Sequence, residues 1–284
     1  MLQRVVIMSI CFAVLFVIFC SVYFSLESQC HTPEKHKLYI MFHDEQSERA
    51  ARLLLSVPGT LPRKVGPSLF LESQVYTWLR ANEQDWQNQD YIGILPYSIC
   101  HKQNITKDTD VAKLIRNHFQ KAGDADVVSF YRRFKASMWK LTRVCHPKLE
   151  GAWVALMSRM GVPYEAALSE SIPFYPCSSW AAKPETMKKF IQFAERAMSI
   201  MGTDTKVRTL CFENSTYWTP SCLHHEQLVR IFGVPYYPLF PFIMERLPCF
   251  YFWYTGTRVW TGNLHLGLTT CGFMTSREDR WSAK

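Results

Sequence analysis

The chain has 284 residues, of which 48% are hydrophobic and 20% charged, so it can bury one substantial core and is neither disordered nor fibrous. Its 32 basic and 24 acidic residues give a net charge of +8, which is scattered along the chain without a run of like charge. Because zinc-finger, zipper and RNP patterns are absent from the sequence, the positive charge favours a phosphate-bearing small molecule over nucleic acid.

The N-terminal segment predicts a membrane anchor. Residues 5–26 carry no charge over 22 positions, and a helix of that length spans about 33 Å, close to the thickness of a bilayer core. A cleavable signal peptide, the main alternative, would be shorter and would end in a small-x-small site. Flanking charges weakly place the N-terminus in the cytoplasm. We therefore expect a cytoplasmic tail (1–4), an anchor (5–26), a stem (27–36) and a lumenal C-terminal domain in the endoplasmic reticulum or Golgi, as a single-pass type II protein.

Beyond the stem, strand patterns alternate with helix patterns. Strands are predicted at 37–42, 91–95 and 126–131, and helices at 45–57, 68–86, 109–121, 149–161 and 184–202. Such alternation predicts an α/β layered fold with a mostly parallel sheet flanked by helices. No linker divides this region, so we expect one domain over 37–254, followed by a tail (255–284) of unknown role.

Cysteines and glycosylation sequons support a lumenal location. Eight cysteines lie beyond the anchor without C-x-x-C spacing, which favours disulfides over a zinc site; they are Cys30, Cys100, Cys145, Cys177, Cys211, Cys222, Cys249 and Cys271. The sequence does not choose among their possible pairings. Two N-x-S/T sequons begin at Asn104 and Asn214.

Polar residues follow each predicted strand. Ligands of open α/β sheets bind outside the carboxyl ends of the strands. By that rule the candidates for binding a ribose and a diphosphate are His43 and Asp44, then Tyr97, Ser98 and Lys102, then Arg132 and Arg133. Asp90 stands at the amino end of its strand, where the same rule predicts a strand-start carboxylate.

Familiar catalytic motifs are missing, and D-x-D is the one acidic pattern. The chain has no G-x-G-x-x-G, Walker loop, H-E-x-x-H or G-x-S-x-G. Asp108-Thr109-Asp110 and Asp124-Ala125-Asp126 resemble the motif with which sugar transferases hold a divalent metal. However, the first triplet fits a helix N-cap and the second precedes its strand. A Mn²⁺ or Mg²⁺ site is therefore not supported by a well-placed motif.

Two charges lie inside the aromatic stretch at 236–254. Glu245 and Arg246 are surrounded by apolar residues. Because burying an unpaired charge is costly, the sequence predicts an internal ion pair between them.

Three segments resemble a known family. "DYIGILPYS", "FYPCSSWAAKPETMKKFIQFAERAM" and "GVPYYPLFPFIMERLPCFYF" are similar, in this order, to hallmark blocks of predicted glycosyltransferases from algae and giant viruses, which are related to bacterial capsule-type transferases. The resemblance covers 37–254. It implies a GT-A-like fold that binds a nucleotide sugar and transfers the sugar to an acceptor. The family residues carried over are Asp44, Glu72, Asp90, Tyr97, Glu245 and Arg246.

The carboxylates among these residues are the candidates for catalysis. Inverting transfer needs a carboxylate to accept the proton of the acceptor hydroxyl, and Glu245, Asp90 and Glu72 are the candidates. Cations such as Lys102, Arg132, Arg133 or Arg246 could neutralise the leaving diphosphate in place of a metal. The sequence therefore predicts a type II membrane glycosyltransferase acting on a glycan, protein or lipid. Two alternatives are an inactive carbohydrate-binding or interaction protein and a glycan hydrolase with paired carboxylates.

Overall fold

The computed structural model describes residues 35–175, 179–215 and 225–263. The strands are β1 His36–Phe42, β2 Thr60–Lys64, β3 Tyr91–Pro96, β4 Val127–Ser129, β5 Trp180–Ala182 and β6 Val259–Thr261. The helices are α1 Glu45–Leu55, α2 Val75–Ala81, α3 Ile99–Lys102, α4 Val111–Ala122, α5 Met138–Cys145, α6 Leu149–Arg159, α7 Tyr164–Ala167, α8 Pro184–Thr203, α9 Thr205–Cys211, α10 His225–Phe232 and α11 Phe240–Tyr254. Two 3₁₀ helices flank α2, at Leu71–Gln74 and Glu83–Asp85.

The strands form one six-stranded sheet in the order β2-β1-β3-β5-β4-β6. β5 runs antiparallel to β3 and β4, and the other neighbours are parallel. This confirms the prediction of an α/β fold with a mostly parallel sheet flanked by helices. We call the side where the parallel strands end the carboxyl edge, and the opposite side the amino edge.

Strands β2, β5 and β6 were not predicted from the sequence. β2 is largely exposed and contains Pro62, so it has neither a buried run nor strict alternation. β6 lies in the predicted tail, yet Val259 pairs with Val127 of β4. The sheet therefore extends past the predicted domain boundary at Tyr254.

Apolar side chains pack on both faces of the sheet. Alternate residues of β1 and β3 face a large core formed with α2, α6, α8 and α11, and the intervening residues face a smaller core formed with α1, α3 and α4. Gly93 in β3 permits the closest approach, since a Cβ there would lie 2.6 Å from the Cβ of Ala181 and 2.7 Å from Cδ2 of Leu38. The glycine of "DYIGILPYS" thus has a packing role.

Several predictions concern residues outside the described part of the chain. The anchor at 5–26, most of the stem, Cys30, Cys177, Cys222 and Cys271 fall there. Within the ranges described, no helix is long and apolar enough to cross a bilayer. Cys100, Cys211 and Cys249 are buried free thiols. The expectation of disulfides is therefore wrong for these three, whose side chains serve as small apolar core residues.

Candidate functional site

The ends of β1, β2 and β3 are tied together at the carboxyl edge. The backbone N–H of Tyr97, just after β3, donates to the carbonyl of Met41 at 2.9 Å. The N–H of Val65, just after β2, donates to the carbonyl of Phe42 at 2.8 Å. The three strand ends therefore present His43, Val65 and Tyr97 side by side, as the carboxyl-end rule predicts for His43 and Tyr97.

An ion pair joins the end of β1 to a residue distant in sequence. His43 Nε2 lies 3.1 Å from Glu72 Oε1, and the two side chains are 34% and 30% exposed. The ring of Tyr97 stands perpendicular to that of His43, with 6.1 Å between ring centroids. We call His43, Asp44, Glu72, Tyr97 and Lys102 the His43 cluster.

A strained turn places Glu72 in this cluster. Leu71, directly before Glu72, has φ of +45°, a left-handed conformation that non-glycine residues rarely adopt. Leu69 and Phe70 pack against the core, with the Phe70 ring 5.7 Å from that of Phe240. The preceding residues thus fix the turn, and the turn directs Glu72 toward His43.

His43 and Glu72 each stabilise the charged form of the other. Burial disfavours the protonated His43 ring, but the hydrogen bond and charge of Glu72, with Asp44 and the Val65 main chain, outweigh it and raise the pKa of His43. Burial likewise opposes ionisation of Glu72, but the hydrogen bond and charge of His43 outweigh it and lower the pKa of Glu72. Each shift therefore favours the charged form of its residue, an imidazolium facing a carboxylate.

The remaining members of the cluster differ in how they are used. Asp44 Oδ1 accepts from the Ser47 N–H at 2.8 Å and caps α1, so one of its oxygens has a structural role. Burial, followed by the charges of Glu72 and Asp44, raises the pKa of Tyr97 and keeps it a neutral hydroxyl. Lys102 is exposed at the end of α3, and its charge acts on both Glu72 and Tyr97. Ser98, which is not part of the His43 cluster, is half-buried and is the N-cap residue of α3.

A second group of polar residues adjoins the end of β4. The predicted internal ion pair is present, with Arg246 Nη1 3.1 Å from Glu245 Oε2. Arg246 is buried, and it also donates to Thr142 Oγ1 and to the carbonyl of Phe242, each at 2.8 Å. Glu245 remains 29% exposed. The guanidinium therefore positions Glu245 and has most of its hydrogen-bonding capacity in use.

Phe174 connects this ion pair to the carboxyl edge. The N–H of Phe134 donates to the carbonyl of Phe174 at 2.9 Å, and the Arg246 guanidinium carbon lies 5.7 Å from the Phe174 ring. Arg132 and Arg133, both exposed, lie between β4 and Phe134. Phe134 and Phe174 thus link the segment that carries these arginines to the Glu245–Arg246 pair.

Two buried hydroxyls on this edge were missed by sequence reasoning. Tyr175 Oη and Ser179 Oγ, both buried, have no hydrogen-bond partner among the described residues. Burial raises the pKa of Tyr175 well above its usual range, an effect that the charge of Arg133 opposes. Unsatisfied buried donors are rare and suit a polar ligand. Tyr175 was overlooked because the local sequence gives no sign that its hydroxyl lacks a partner.

The predicted acidic residues of the amino edge are arranged differently. Asp90 is exposed, precedes β3 and donates its backbone N–H to the carbonyl of Lys35 at 2.6 Å. The structure therefore places it on the opposite side of the sheet from Glu72. Asp124 pairs with Arg258 at 3.0 Å, and Asp126 pairs with Lys183 at 3.1 Å.

Asp110, Asp124 and Asp126 of the two D-x-D triplets each have a structural partner. Asp110 caps α4 by accepting from the Lys113 N–H at 2.9 Å, as its position predicted. The carboxylates of Asp124 and Asp126 are neutralised by Arg258 and Lys183. Over the described ranges no three His, Cys, Asp or Glu side chains gather as metal ligands. These carboxylates, within the part of the chain that the structure describes, therefore do not support a divalent-metal site.

Comparisons with known proteins give one match. No family model and no curated protein sequence matches the chain. The apo structure of WbbM, a bifunctional glycosyltransferase, is similar with a TM-score of 0.47 and 12% sequence identity, over 80% of this chain and 44% of that one. The chain thus spans less than half the length of that protein.

Proposed function

We propose that this chain transfers a sugar from a nucleotide-sugar donor to a glycan, protein or lipid acceptor. The observation that carries the proposal is the convergence of His43, Glu72, Tyr97 and Lys102 at the carboxyl edge of an α/β sheet. These residues are separated in sequence, yet the strand ends and the strained turn bring an acid-base pair, a hydroxyl and a cation into one cluster. This is the edge where such sheets bind ligands.

The sequence resemblance supports the same site. Its first block ends at Tyr97 and Ser98 on the carboxyl edge, and its third block contains Glu245 and Arg246. The second block begins at Phe174, which contacts Arg246. Residues from all three blocks therefore contribute to one edge of the sheet. Asp90 is left outside the proposed machinery because of its position on the amino edge.

The proposed reaction needs three tasks from these side chains. The acceptor oxygen attacks the anomeric carbon, the bond from that carbon to the phosphate oxygen breaks, and the electron pair leaves with the nucleoside diphosphate. Glu72 accepts the acceptor proton, as a general base does. Lys102, Arg132 and Arg133 supply positive charge to the leaving diphosphate. Glu245, held by Arg246, orients sugar or acceptor hydroxyls.

Release of nucleoside diphosphate from a panel of donors tests this proposal. The full-length chain would be incubated with UDP-glucose, UDP-galactose, UDP-N-acetylglucosamine, GDP-mannose, GDP-fucose and dTDP-rhamnose, with and without Mn²⁺. We expect turnover of at least one donor. Lys102→Ala should weaken binding of that donor about tenfold, since a charge-assisted contact of about 1.4 kcal/mol is lost.

Lys121→Ala is the matched control. Lys121 is an exposed lysine in the last turn of α4, next to the amino edge, so its removal changes the net charge equally. Equal losses in both variants would indicate a diffuse charge effect and contradict a site at the carboxyl edge. Donor binding without turnover would favour the inactive carbohydrate-binding alternative.

We also propose type II membrane topology with the domain in the lumen of the endoplasmic reticulum or Golgi. This topology rests on the apolar segment at 5–26 and on the two sequons. The cysteines Cys100, Cys211 and Cys249 do not support it, because they are buried free thiols and form no disulfides. Asn104 is exposed in a left-handed conformation that asparagine tolerates, so it is open to glycosylation. Endoglycosidase treatment of protein expressed in eukaryotic cells should shift its mobility, and Asn104→Gln should reduce that shift. A C-terminus digested by protease added to the cytoplasmic side would contradict the topology.

A further inference from the structure

We propose that His43 is a positioning residue that holds one oxygen of Glu72 and leaves the other to accept the proton of the attacking hydroxyl. This inference rests on the proposed function and adds to it a specific division of labour. Neither residue type nor sequence spacing indicates it, since 28 residues separate the two positions.

The geometry supports this division. Among the described residues, the Glu72 carboxylate hydrogen-bonds one side chain, His43, and it does so through Oε1 at 3.1 Å. Glu72 is 30% exposed, so its other oxygen can meet a substrate. His43 is itself fixed, because its backbone N–H donates to Ser47 Oγ at 2.9 Å and its ring stands edge-on to that of Tyr97. A ring held in this way by its neighbours is suited to orient Glu72 more than to transfer a proton itself.

Backbone strain at Leu71 is the second observation. A left-handed leucine is strained relative to ordinary backbone, because its Cβ crowds the following carbonyl oxygen. Leu71 is half-exposed and absent from the packed core, so burial of its own side chain does not explain the conformation. The strain does place Glu72 against His43. Strained residues of this kind cluster at functional sites.

The charges around His43 make the arrangement depend on pH. Glu72 faces the ring from the 3₁₀ helix, Asp44 adjoins it, Tyr97 packs against it from the end of β3, and Lys102 acts on Glu72 from α3. A protonated ring donates two hydrogen bonds, whereas a neutral ring donates one. Deprotonation of His43 therefore removes the positive charge that pairs with Glu72 and one of the ring's two N–H donors.

In the reaction, the proton of the acceptor hydroxyl moves to the second oxygen of Glu72 as the new bond to the anomeric carbon forms. The bond from that carbon to the diphosphate breaks, and the diphosphate takes the electron pair. His43 exchanges no atom with the substrate. It keeps Glu72 ionised and fixed in rotation.

Substitutions at His43 separate orientation from charge. His43→Ala removes the contact to Glu72 and should lower kcat for donor turnover about tenfold to a hundredfold with little change in KM, because misplaced catalytic groups cost that much. His43→Gln keeps an amide donor at the same distance along the side chain and should restore kcat to within about threefold near neutral pH. In the wild type, kcat should fall at alkaline pH as His43 loses its proton, and we call this fall the alkaline limb. His43→Gln has no proton to lose there and should abolish it.

A measurement independent of activity completes the test. With ¹³C-labelled histidine in the full-length chain, the His43 signal is identified by its loss in His43→Gln. Its titration midpoint should lie above 6.5, the ordinary value, and should fall in Glu72→Gln. An unshifted midpoint would overturn the pairing whether or not the protein is active.

The kinetic outcomes separate the two proposals. If His43→Ala raises KM and leaves kcat unchanged, His43 binds the donor and the positioning role is overturned. If no donor is turned over although the titration is shifted and coupled to Glu72, the proposed function fails while the pair itself is established. Restoration by His43→Gln with loss of the alkaline limb supports the inference.

Discussion

The two edges of the sheet use their charges in different ways. At the amino edge, Asp124 and Asp126 face Arg258 and Lys183, so each carboxylate is neutralised by a nearby cation. At the carboxyl edge, Glu72 meets a single histidine, and Tyr175 Oη has no partner among the described residues. Complete pairing is typical of structural surface charge, whereas incomplete pairing leaves groups for a ligand.

The difference has a consequence for reading acidic motifs. The D-x-D triplet at 124–126 is the pattern that a motif search favours. Its carboxylates, however, pair with Arg258, just before β6, and with Lys183, just after β5. These ion pairs connect the neighbouring strands β4, β5 and β6. The catalytic candidate Glu72 belongs to no motif. Position at a strand end accounts for His43 and Tyr97 beside it, because parallel strands bring their ends together, whereas Glu72 came only from the family resemblance.

The largest effect on donor turnover should come from replacing the carboxylate of Glu72 by its amide. The same exchange at Asp90, on the amino edge, is the comparison. Glu72→Gln should lower donor turnover by about 10² to 10⁴, the range for loss of a general base. Asp90→Asn should stay within about twofold, since Asp90 is exposed on the opposite edge. Both variants remove one negative charge, so steady-state rates at equal net charge compare the two edges directly.

The reverse outcome would change the assignment of the site. If Asp90→Asn abolished turnover in a folded protein while Glu72→Gln retained it, the strand-end rule would fail for this chain. The proposed site would then have to be rebuilt around the amino edge. Circular dichroism spectra of both variants would establish that each is folded.

A second substitution tests the strand that runs between the edges. Gly93→Ala should destabilise the fold by about 1 to 3 kcal/mol, because the new methyl group would meet Ala181 and Leu38 inside contact distance. Urea unfolding measures this loss. Unchanged stability would show that the glycine of "DYIGILPYS" is not required for packing and would return attention to a chemical role.

Much of the fold could be predicted because its central strands are buried. β1 and β3 are continuous apolar runs, and α4 and α8 carry apolar residues at helical spacing. β2, β5 and β6 are short, exposed or interrupted by proline, so local sequence does not distinguish them from loops. Their place in the sheet is set by pairing with distant strands, which sequence periodicity does not record.

The candidate site was predictable to the extent that it follows strand ends. His43, Tyr97, Arg132 and Arg133 lie where the topology rule put them. The contact between His43 and Glu72 could not be predicted, since it depends on a left-handed leucine, and leucine gives no local signal for that conformation. Tyr175 could not be separated from core aromatics without knowing that its hydroxyl is unsatisfied.

Acid should destabilise the carboxyl edge through two buried histidines. Burial lowers the pKa of His118 to about 4, and burial followed by the Arg246 charge lowers the pKa of His146 to about 3. Below the ordinary value of 6.5 the unfolded chain binds protons that the folded chain does not. Stability should therefore fall as pH drops from about 6.5 to 4, by up to about 1.4 kcal/mol per pH unit for each histidine.

Urea unfolding between pH 7 and 5 measures this dependence. His118→Gln should flatten it, since the ring that accounts for part of the proton uptake is gone. His101→Gln is the matched control because His101 is exposed. An unaltered slope in His118→Gln would show that His118 is not the neutral ring inferred from its burial.

The smallest effect is expected from the acidic triplet at 108–110. Asp110 caps α4 through Oδ1, and asparagine caps helices about as well as aspartate. Replacing Asp108 and Asp110 together by asparagine should therefore leave the unfolding midpoint in place and donor turnover within about twofold. The informative measurement is turnover as a function of Mn²⁺ concentration. If the double variant lost a Mn²⁺ dependence present in the wild type, these aspartates would be metal ligands. The contrast between the paired Asp124 and Asp126 of the amino edge and the proposed site at the carboxyl edge would then have to admit a metal brought by the loop between α3 and α4.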